Sequence, residues 1–172
     1  MSNQRILVIG SGAVASLYGG LLQKAGADVS VVARSDFEVI KEKGISVTSH
    51  WGDFVFKPNK VLRNVNEYVE KPDYILVATK VLPDIDVSSI INNVVYPNTS
   101  IVLLQNGIHI EDKIVADFPN NEIISALAFV CVTRTAPGVV IHRDYGRVEL
   151  GVYPKGESAK ARLLQDLFNS ID

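Results

Sequence analysis

Residues 5–34 of the chain read RILVIGSGAVASLYGGLLQKAGADVSVVAR, and this stretch decides the fold. The apolar run Arg5–Ile9 has the length and composition of a buried parallel strand. A glycine-rich turn follows, and the apolar positions of Ala13–Lys24 lie near helical spacing, with Gly26 as a helix stop. A second apolar run at 29–33 completes a strand, a helix and a strand in the space of one βαβ unit.

The rest of the chain continues this alternation of apolar strands and helices. Buried strands are predicted at 73–78, 100–104 and 123–127, and short strands at 45–49 and 53–56 around Trp51 and Gly52. Helices are predicted at 36–43, 83–94, 111–118 and 158–171, the last with Leu164, Leu167, Phe168 and Ile171 on one face. Two strands at 139–142 and 147–152, joined by a turn at 144–146, are expected to be antiparallel. The pattern predicts an α/β fold, Rossmann-like and doubly wound, with a mostly parallel sheet and helices on both faces.

Composition limits the class of protein. The 172 residues carry a formal net charge of −2 and are 47% hydrophobic, which predicts one globular domain with a sizeable core. That charge gives no case for binding nucleic acid or a membrane surface. The glycines within residues 6–22 argue against a signal peptide or a membrane span, so a cytoplasmic domain is expected.

Cysteine and histidine usage argues against a disulfide framework and a metal centre. The single cysteine, Cys131, excludes an internal disulfide and is expected to be a small buried side chain. The three histidines, His50, His109 and His142, lack metal-ligand spacing and are interpreted as surface or packing residues.

The turn after the first strand fits the dinucleotide fingerprint in its G-x-G-x-x-A form. Gly10 permits the tight turn, Gly12 lets a pyrophosphate approach the backbone, and Ala15 allows close helix packing. The helix N-terminus then offers free N–H groups to the phosphates. The predicted pyrophosphate site is Gly10, Ser11, Gly12, Ala13, Val14 and Ala15.

The end of the second strand indicates which dinucleotide is bound. NAD sites usually place an acidic residue there, whereas this chain has Arg34 and no acid before Asp36. A guanidinium suits a ribose 2′-phosphate, so NADP is predicted. NAD stays open, because Asp36 could swing toward a ribose.

Polar residues follow two further strands of the predicted parallel sheet. Thr79 and Lys80 come after the strand at 73–78, and Gln105 and Asn106 after the strand at 100–104. The carboxyl ends of parallel strands share one edge of a sheet, where ligands of open α/β folds bind. We therefore expect these residues to line one crevice with the glycine turn and Arg34.

Several motifs together resemble the ketopantoate reductases (2-dehydropantoate 2-reductases). They are Gly10-Ser-Gly-Ala-Val-Ala15, the run GADVSVVAR ending at Arg34, Ala78-Thr-Lys80, Leu103-Leu-Gln-Asn-Gly107, and the run PGVVIH ending at His142 followed by VELG ending at Gly151. The resemblance covers nearly all of the chain in order. A mild departure is Ala15, where the family usually has the third glycine.

The resemblance implies an enzyme that reduces ketopantoate to pantoate with NADPH, in the biosynthesis of pantothenate. Arg34 would hold the 2′-phosphate, Lys80 would contact the cofactor, and Asn106 would lie between nicotinamide and substrate. The segment near Val132 and Thr133 would add backbone contacts. The family's catalytic lysine lies in a C-terminal helical domain that these 172 residues do not contain, so the chain is expected to be an NADP-binding part of a longer protein, with no catalytic residue of its own and no turnover alone.

Two other functions remain open from the sequence. A nucleotide-sensing module without chemistry would share the fingerprint, but such modules commonly keep an acid where Arg34 stands. Another NADP-linked reductase of 2-oxo acids or alcohols would differ in the missing domain, which this sequence does not reveal.

Overall fold

The computed structural model describes residues 4–82 and 85–170. The strands are β1 (Arg5–Ile9), β2 (Asp28–Val32), β3 (Ile45–Ser49), β4 (Phe54–Phe56), β5 (Lys60–Leu62), β6 (Tyr74–Val77), β7 (Ser100–Leu103), β8 (Ile123–Ala136) and β9 (Val139–Val152). The helices are α1 (Ala13–Lys24), α2 (Phe37–Lys43), α3 (Val87–Ile91), α4 (Ile110–Asp117) and α5 (Ala159–Asn169), with single 3₁₀ turns at Val65–Glu67 and Asn92–Val94.

All nine strands form one sheet in the order β4-β3-β9-β8-β7-β6-β1-β2-β5. Pairing is parallel from β5 through β8, antiparallel between β8 and β9, parallel between β9 and β3, and antiparallel between β3 and β4. The predicted α/β class, the mostly parallel sheet and the antiparallel strands late in the chain are therefore confirmed.

The sheet curls around α1, so that this helix packs on strands from both halves of the strand order. It contacts β1 and β2 on one side and β4, β8 and β9 on the other. The close approach to β4 depends on two glycines in the helix, since a Cβ on Gly20 would lie 2.6 Å from the Phe54 ring and 3.0 Å from Phe56 Cβ. A Cβ on Gly19 would lie 3.1 Å from Phe56 Cε1, so both glycines allow close packing of the helix.

Helices cover both faces of the parallel part of the sheet. On one face, α1 and α5 meet through an edge-to-face contact of Tyr18 and Phe168, with ring centroids 5.8 Å apart. On the other face, α3 and α4 contribute Ile91 and Ile114 to a second core. The Ser158 side chain begins α5 by accepting a hydrogen bond from the Ala161 N–H at 2.9 Å.

The C-terminal strands differ from the prediction. Instead of a strand ending at 127 and two strands joined at 144–146, β8 and β9 are two 14-residue strands in one long hairpin. Their turn is at Pro137 and Gly138. The predicted turn is an irregularity within β9, where Tyr145 and Gly146 have positive φ angles and the pairing register with β8 shifts.

Other boundaries differ less. The helix predicted at 83–94 is the short α3 followed by a 3₁₀ turn, and Pro83 lies outside the described residues. Ile171, expected on the apolar face of the last helix, also lies outside them. The three-residue edge strand β5 was not predicted, because a run this short carries no clear alternation.

Candidate functional site

The glycine turn leaves β1 and enters α1 in a conformation that its first glycine makes possible. Gly10 has φ +109°, a region that side chains with a Cβ rarely adopt. A Cβ on Gly10 would also lie 3.1 Å from Thr79 Cγ2. The Gly10 N–H donates to the Val32 carbonyl at 3.0 Å, which ties the turn to the end of β2.

The N-terminus of α1 is open to solvent. Gly12 occupies the N-cap position with no side-chain capping bond, and the first turn contains no acidic residue. No atom of the described chain lies within 4 Å of where a Gly12 Cβ would stand. Ala15 is buried in the core against the sheet. The helix therefore presents uncapped N–H groups and its positive dipole end to an anion.

The polar residues after β6 and β7 lie at the same edge as the glycine turn, as the parallel register requires. Gln105 Nε2 donates to the Thr79 carbonyl at 2.7 Å and to its hydroxyl at 3.1 Å, which fixes the two strand ends together. Lys80 and Asn106 are exposed, and neither has a hydrogen bond or ion pair within 4–82 and 85–170. Both side chains are therefore exposed near the carboxyl ends of β6 and β7.

The end of β2 brings Arg34 to this edge. Arg34 is exposed and has no hydrogen bond or ion pair with any described residue. Asp36 is only 2% exposed, and its carboxylate accepts hydrogen bonds from Arg134 Nη1 at 2.6 Å and from the Ser35 hydroxyl at 2.8 Å. The carboxylate that left NAD open in the sequence is already engaged by the protein.

Strand β8 extends beyond the end of its neighbour at this edge. The pairing of β7 with β8 ends at Ser125, whereas β8 continues to Ala136 and, among the strands the structure describes, is paired there only with β9. Val132 is half-buried against the same core cluster as the inner face of α1, and Thr133 is exposed. The predicted backbone contacts of this segment with a cofactor stay a prediction, and the free strand edge is compatible with them.

The three histidines have the packing or surface environments expected of them. His142 is 2% exposed, and it donates from Nε2 to the Tyr145 carbonyl at 3.0 Å and accepts the Ser49 hydroxyl at Nδ1, also at 3.0 Å. Burial is the main cause that lowers the pKa of His142. His109 is exposed beside Asp112. No group of three or more metal-ligating side chains occurs among the described residues.

Cys131 was expected to be buried, and this is wrong. It lies on the outer face of β8 and is exposed, because the strand continues past 127 and alternates its side chains between α1 and solvent. Near it, a groove of about 510 Å³ is lined by His50, Trp51, Phe129, Asp144, Tyr145 and Arg147, none of which is a predicted cofactor-binding residue.

Arg134, the ion-pair partner of Asp36, is a residue near the predicted cofactor site that sequence reasoning missed. It is 98 residues from Asp36 in the chain, and only the β8–β9 hairpin brings the two together. The only local sign was an arginine in a polar, strand-forming run, which is common on surfaces.

Comparison with known proteins agrees with the fold. The profile of the family described as ketopantoate reductase PanE/ApbA matches residues 6–155. A 2-dehydropantoate 2-reductase of Nostoc sp. is 32% identical over 92% of this chain and 49% of its own length. The crystal structure of 2-dehydropantoate 2-reductase from Methylococcus capsulatus has a TM-score of 0.93 at 48% identity, covering 96% of this chain and 54% of that one. The chain thus spans about half the length of these relatives.

A more distant structure shares the fold. The ternary structure of D-mandelate dehydrogenase with NADH and anilino(oxo)acetate is 24% identical, with a TM-score of 0.81 over 97% of this chain and 55% of that chain. Because that protein is bound to NADH, the fold by itself does not select the phosphorylated cofactor. Among the helices within the described ranges, none is long and apolar enough to cross a bilayer.

Proposed function

The chain belongs to the ketopantoate reductase family, and on that basis we propose that residues 1–172 form its NADP(H)-binding domain. In the whole protein this domain presents the nicotinamide cofactor to a 2-oxo acid of the ketopantoate type, which is reduced to the hydroxy acid. The rest of the substrate site is assigned to the other half of the relatives' length, where the family resemblance places the lysine that protonates the ketone oxygen.

The observation that carries the proposal is that an open helix N-terminus and a guanidinium without an ion-pair partner lie at the same edge of the sheet. The α1 N-terminus is uncapped, and Arg34 makes no ion pair with any residue the structure describes. A dinucleotide pyrophosphate suits the first feature, and a 2′-phosphate suits the second.

Each predicted site residue has a role in this arrangement. The backbone of residues 10–15 would bind the pyrophosphate, and Arg34 the 2′-phosphate. Lys80 would donate to the cofactor, and the Asn106 amide would donate to a carbonyl of the cofactor or the substrate. The cofactor supplies the hydride, while these residues bind it and orient it.

The proposal is tested by titrating the chain with NADPH and NADH and measuring each dissociation constant. We expect NADPH to bind at least about tenfold more tightly, because only NADPH has the 2′-phosphate that Arg34 can bind. Arg34→Gln should remove most of that difference, because it should weaken the binding of NADPH and change the dissociation constant of NADH by no more than about twofold.

The matched control is Arg162→Gln. Arg162 is an exposed arginine on α5. The start of this helix lies at the opposite edge of the sheet from Arg34, because the Lys160 carbonyl accepts a hydrogen bond from the hydroxyl of Tyr74, the first residue of β6. This variant should bind both cofactors as the parent chain does. Equal affinity of the parent chain for NADPH and NADH would overturn the choice of NADP.

A further inference from the structure

The segment that follows β2 contains two carboxylates close in sequence to the proposed phosphate-binding arginine. Each is held by a guanidinium from another part of the fold: Glu38 pairs with Arg63 after β5, and Asp36 pairs with Arg134 on β8. Arg34 is left without a carboxylate partner among the described residues. The two pairs differ in burial, since Glu38 is exposed whereas Asp36 is buried.

The burial of Asp36 makes its pair with Arg134 the more important of the two. One carboxylate oxygen accepts from Arg134 and the other from Ser35, so both oxygens have donors inside the protein. A buried carboxylate that lacks a cationic partner destabilises the folded chain. Loss of Arg134 would therefore favour an ion pair between Asp36 and another nearby cation. On its own segment that cation is Arg34, two residues away.

The hairpin that carries Arg134 is fixed against this segment. The Gly138 carbonyl at its tip accepts a hydrogen bond from the Ser46 N–H at 2.8 Å. A Cβ on Gly138 would lie 3.0 Å from Val39 Cγ1 on α2, so the tip is packed closely on that helix. Arg134 is therefore held beside Asp36 by the tertiary fold.

We propose that Arg134 is a positioning residue for cofactor choice: by holding Asp36, it keeps Arg34 free for a 2′-phosphate and withholds the carboxylate from a ribose hydroxyl. This inference rests on the proposed function. Without Arg134, Asp36 competes with the phosphate for Arg34 and becomes available to the 2′-hydroxyl of an unphosphorylated ribose.

The test uses two probes that differ only at the 2′ position, 2′,5′-ADP and 5′-AMP. Their dissociation constants are measured for the parent chain, Arg134→Met, Arg134→Lys and the double variant Asp36→Asn/Arg134→Met. We expect Arg134→Met to lower the preference for 2′,5′-ADP about tenfold. Arg134→Lys keeps the charge and should retain most of the preference.

The double variant separates positioning from direct contact. It removes the stranded carboxylate together with its partner, and we expect it to fold and to regain most of the parent preference. If its preference is as low as that of Arg134→Met, then Arg134 contacts the phosphate itself and the proposal is wrong. Should Arg134→Met fail to fold, recovery of folding and preference in the double variant still supports the role.

The outcomes distinguish this inference from the proposed function. A parent chain that does not prefer 2′,5′-ADP overturns the assignment of NADP and this inference with it. A parent chain with the preference, whose Arg134→Met variant folds and keeps that preference, overturns the role of Arg134 alone.

Discussion

At the scale of single residues, the two glycines of the turn serve different purposes. Gly10 is required by the chain itself, since its φ is +109° and Thr79 Cγ2 would contact its Cβ at 3.1 Å. Gly12 has φ −71° and ψ 178°, which any residue adopts, and nothing in the described chain occupies the space beside it. The fold therefore does not require the absence of a side chain at Gly12, which under the proposed function leaves room for the pyrophosphate.

This difference predicts opposite effects of the same substitution. Gly12→Ala should change the free energy of unfolding by no more than about 1 kcal/mol, but should weaken NADPH binding tenfold or more, because the methyl group would lie where the proposed pyrophosphate approaches. Gly10→Ala should destabilise the chain by about 1–3 kcal/mol through backbone strain. Urea unfolding and NADPH titration of both variants measure the two effects, and unchanged binding by Gly12→Ala would contradict the assignment.

The individual site residues were predictable where the cause is local. The fingerprint and Arg34 stand next to apolar strands, so sequence spacing alone brought them to one edge. Arg134 was not predictable, because its partner Asp36 is 98 residues away. The burial of Asp36 and the exposure of Cys131 both follow from the length of β8, which the local sequence does not determine.

At the scale of elements, the strand–helix–strand unit at the start of the chain was predictable and the long hairpin was not. Continuous apolar runs identify buried parallel strands, and α1 begins and ends where predicted. Asp144, Tyr145 and Gly146 have the composition of a turn, but they are accommodated by a register shift within β9. Turn and bulge both favour such residues, so only the pairing with β8 distinguishes them.

The packing of α1 on β4 gives a prediction for this element. Replacing a helical glycine by alanine usually stabilises a helix by up to about 1 kcal/mol. Gly20→Ala should instead destabilise the chain by about 1–3 kcal/mol, because the new methyl group would meet the Phe54 ring at 2.6 Å and Phe56 Cβ at 3.0 Å. Urea unfolding measures the change.

Phe54→Ala provides the control through a double-mutant cycle. Removing the Phe54 ring gives the alanine methyl group of Gly20→Ala more space, so the double variant should lose less stability than the sum of the single variants. Strict additivity would show that the helix and β4 are not in the close contact described.

At the scale of the whole molecule, the sheet closes around α1 through contacts between distant parts of the chain. Residue Ser49 of β3 pairs with His142 of β9, and the Ser49 hydroxyl also accepts a hydrogen bond from the Trp51 N–H at 3.1 Å. The curl was not predictable from sequence, because no local pattern shows which strand will pair with β9. The two strands that take part in it, β3 and β4, were themselves predicted at 45–49 and 53–56.

Burial of His142 in this closure makes the stability of the molecule depend on pH. Because burial lowers the pKa of His142 in the folded chain, the unfolded chain takes up a proton at a higher pH than the folded chain does. The contribution of neutral His142 to the free energy of unfolding is therefore fully present above about pH 6.5. It falls as the pH drops below that value, by at most about 1.4 kcal/mol per pH unit for one proton.

Urea unfolding at pH 7.5 and pH 5.5 tests this dependence. The parent chain should be less stable at pH 5.5, and His142→Gln, although less stable at pH 7.5, should show a smaller difference between the two values. His109→Gln is the comparison variant, because His109 is an exposed histidine beside Asp112 that takes no part in the pairing of β3 with β9. A parent chain equally stable at both values would contradict the prediction.

The enclosure of α1 has a consequence for how the protein is made. The Tyr18 hydroxyl on this helix donates to the Gly146 carbonyl at 3.1 Å, a contact between residues 128 positions apart. At about 5–20 residues per second, a ribosome needs on the order of ten seconds to add the strand that covers a helix already synthesised. During that interval the apolar face of α1 lacks its final partner. The nascent chain should therefore be a client of chaperones until β9 emerges, and the sheet should close around α1 only after that strand has been made.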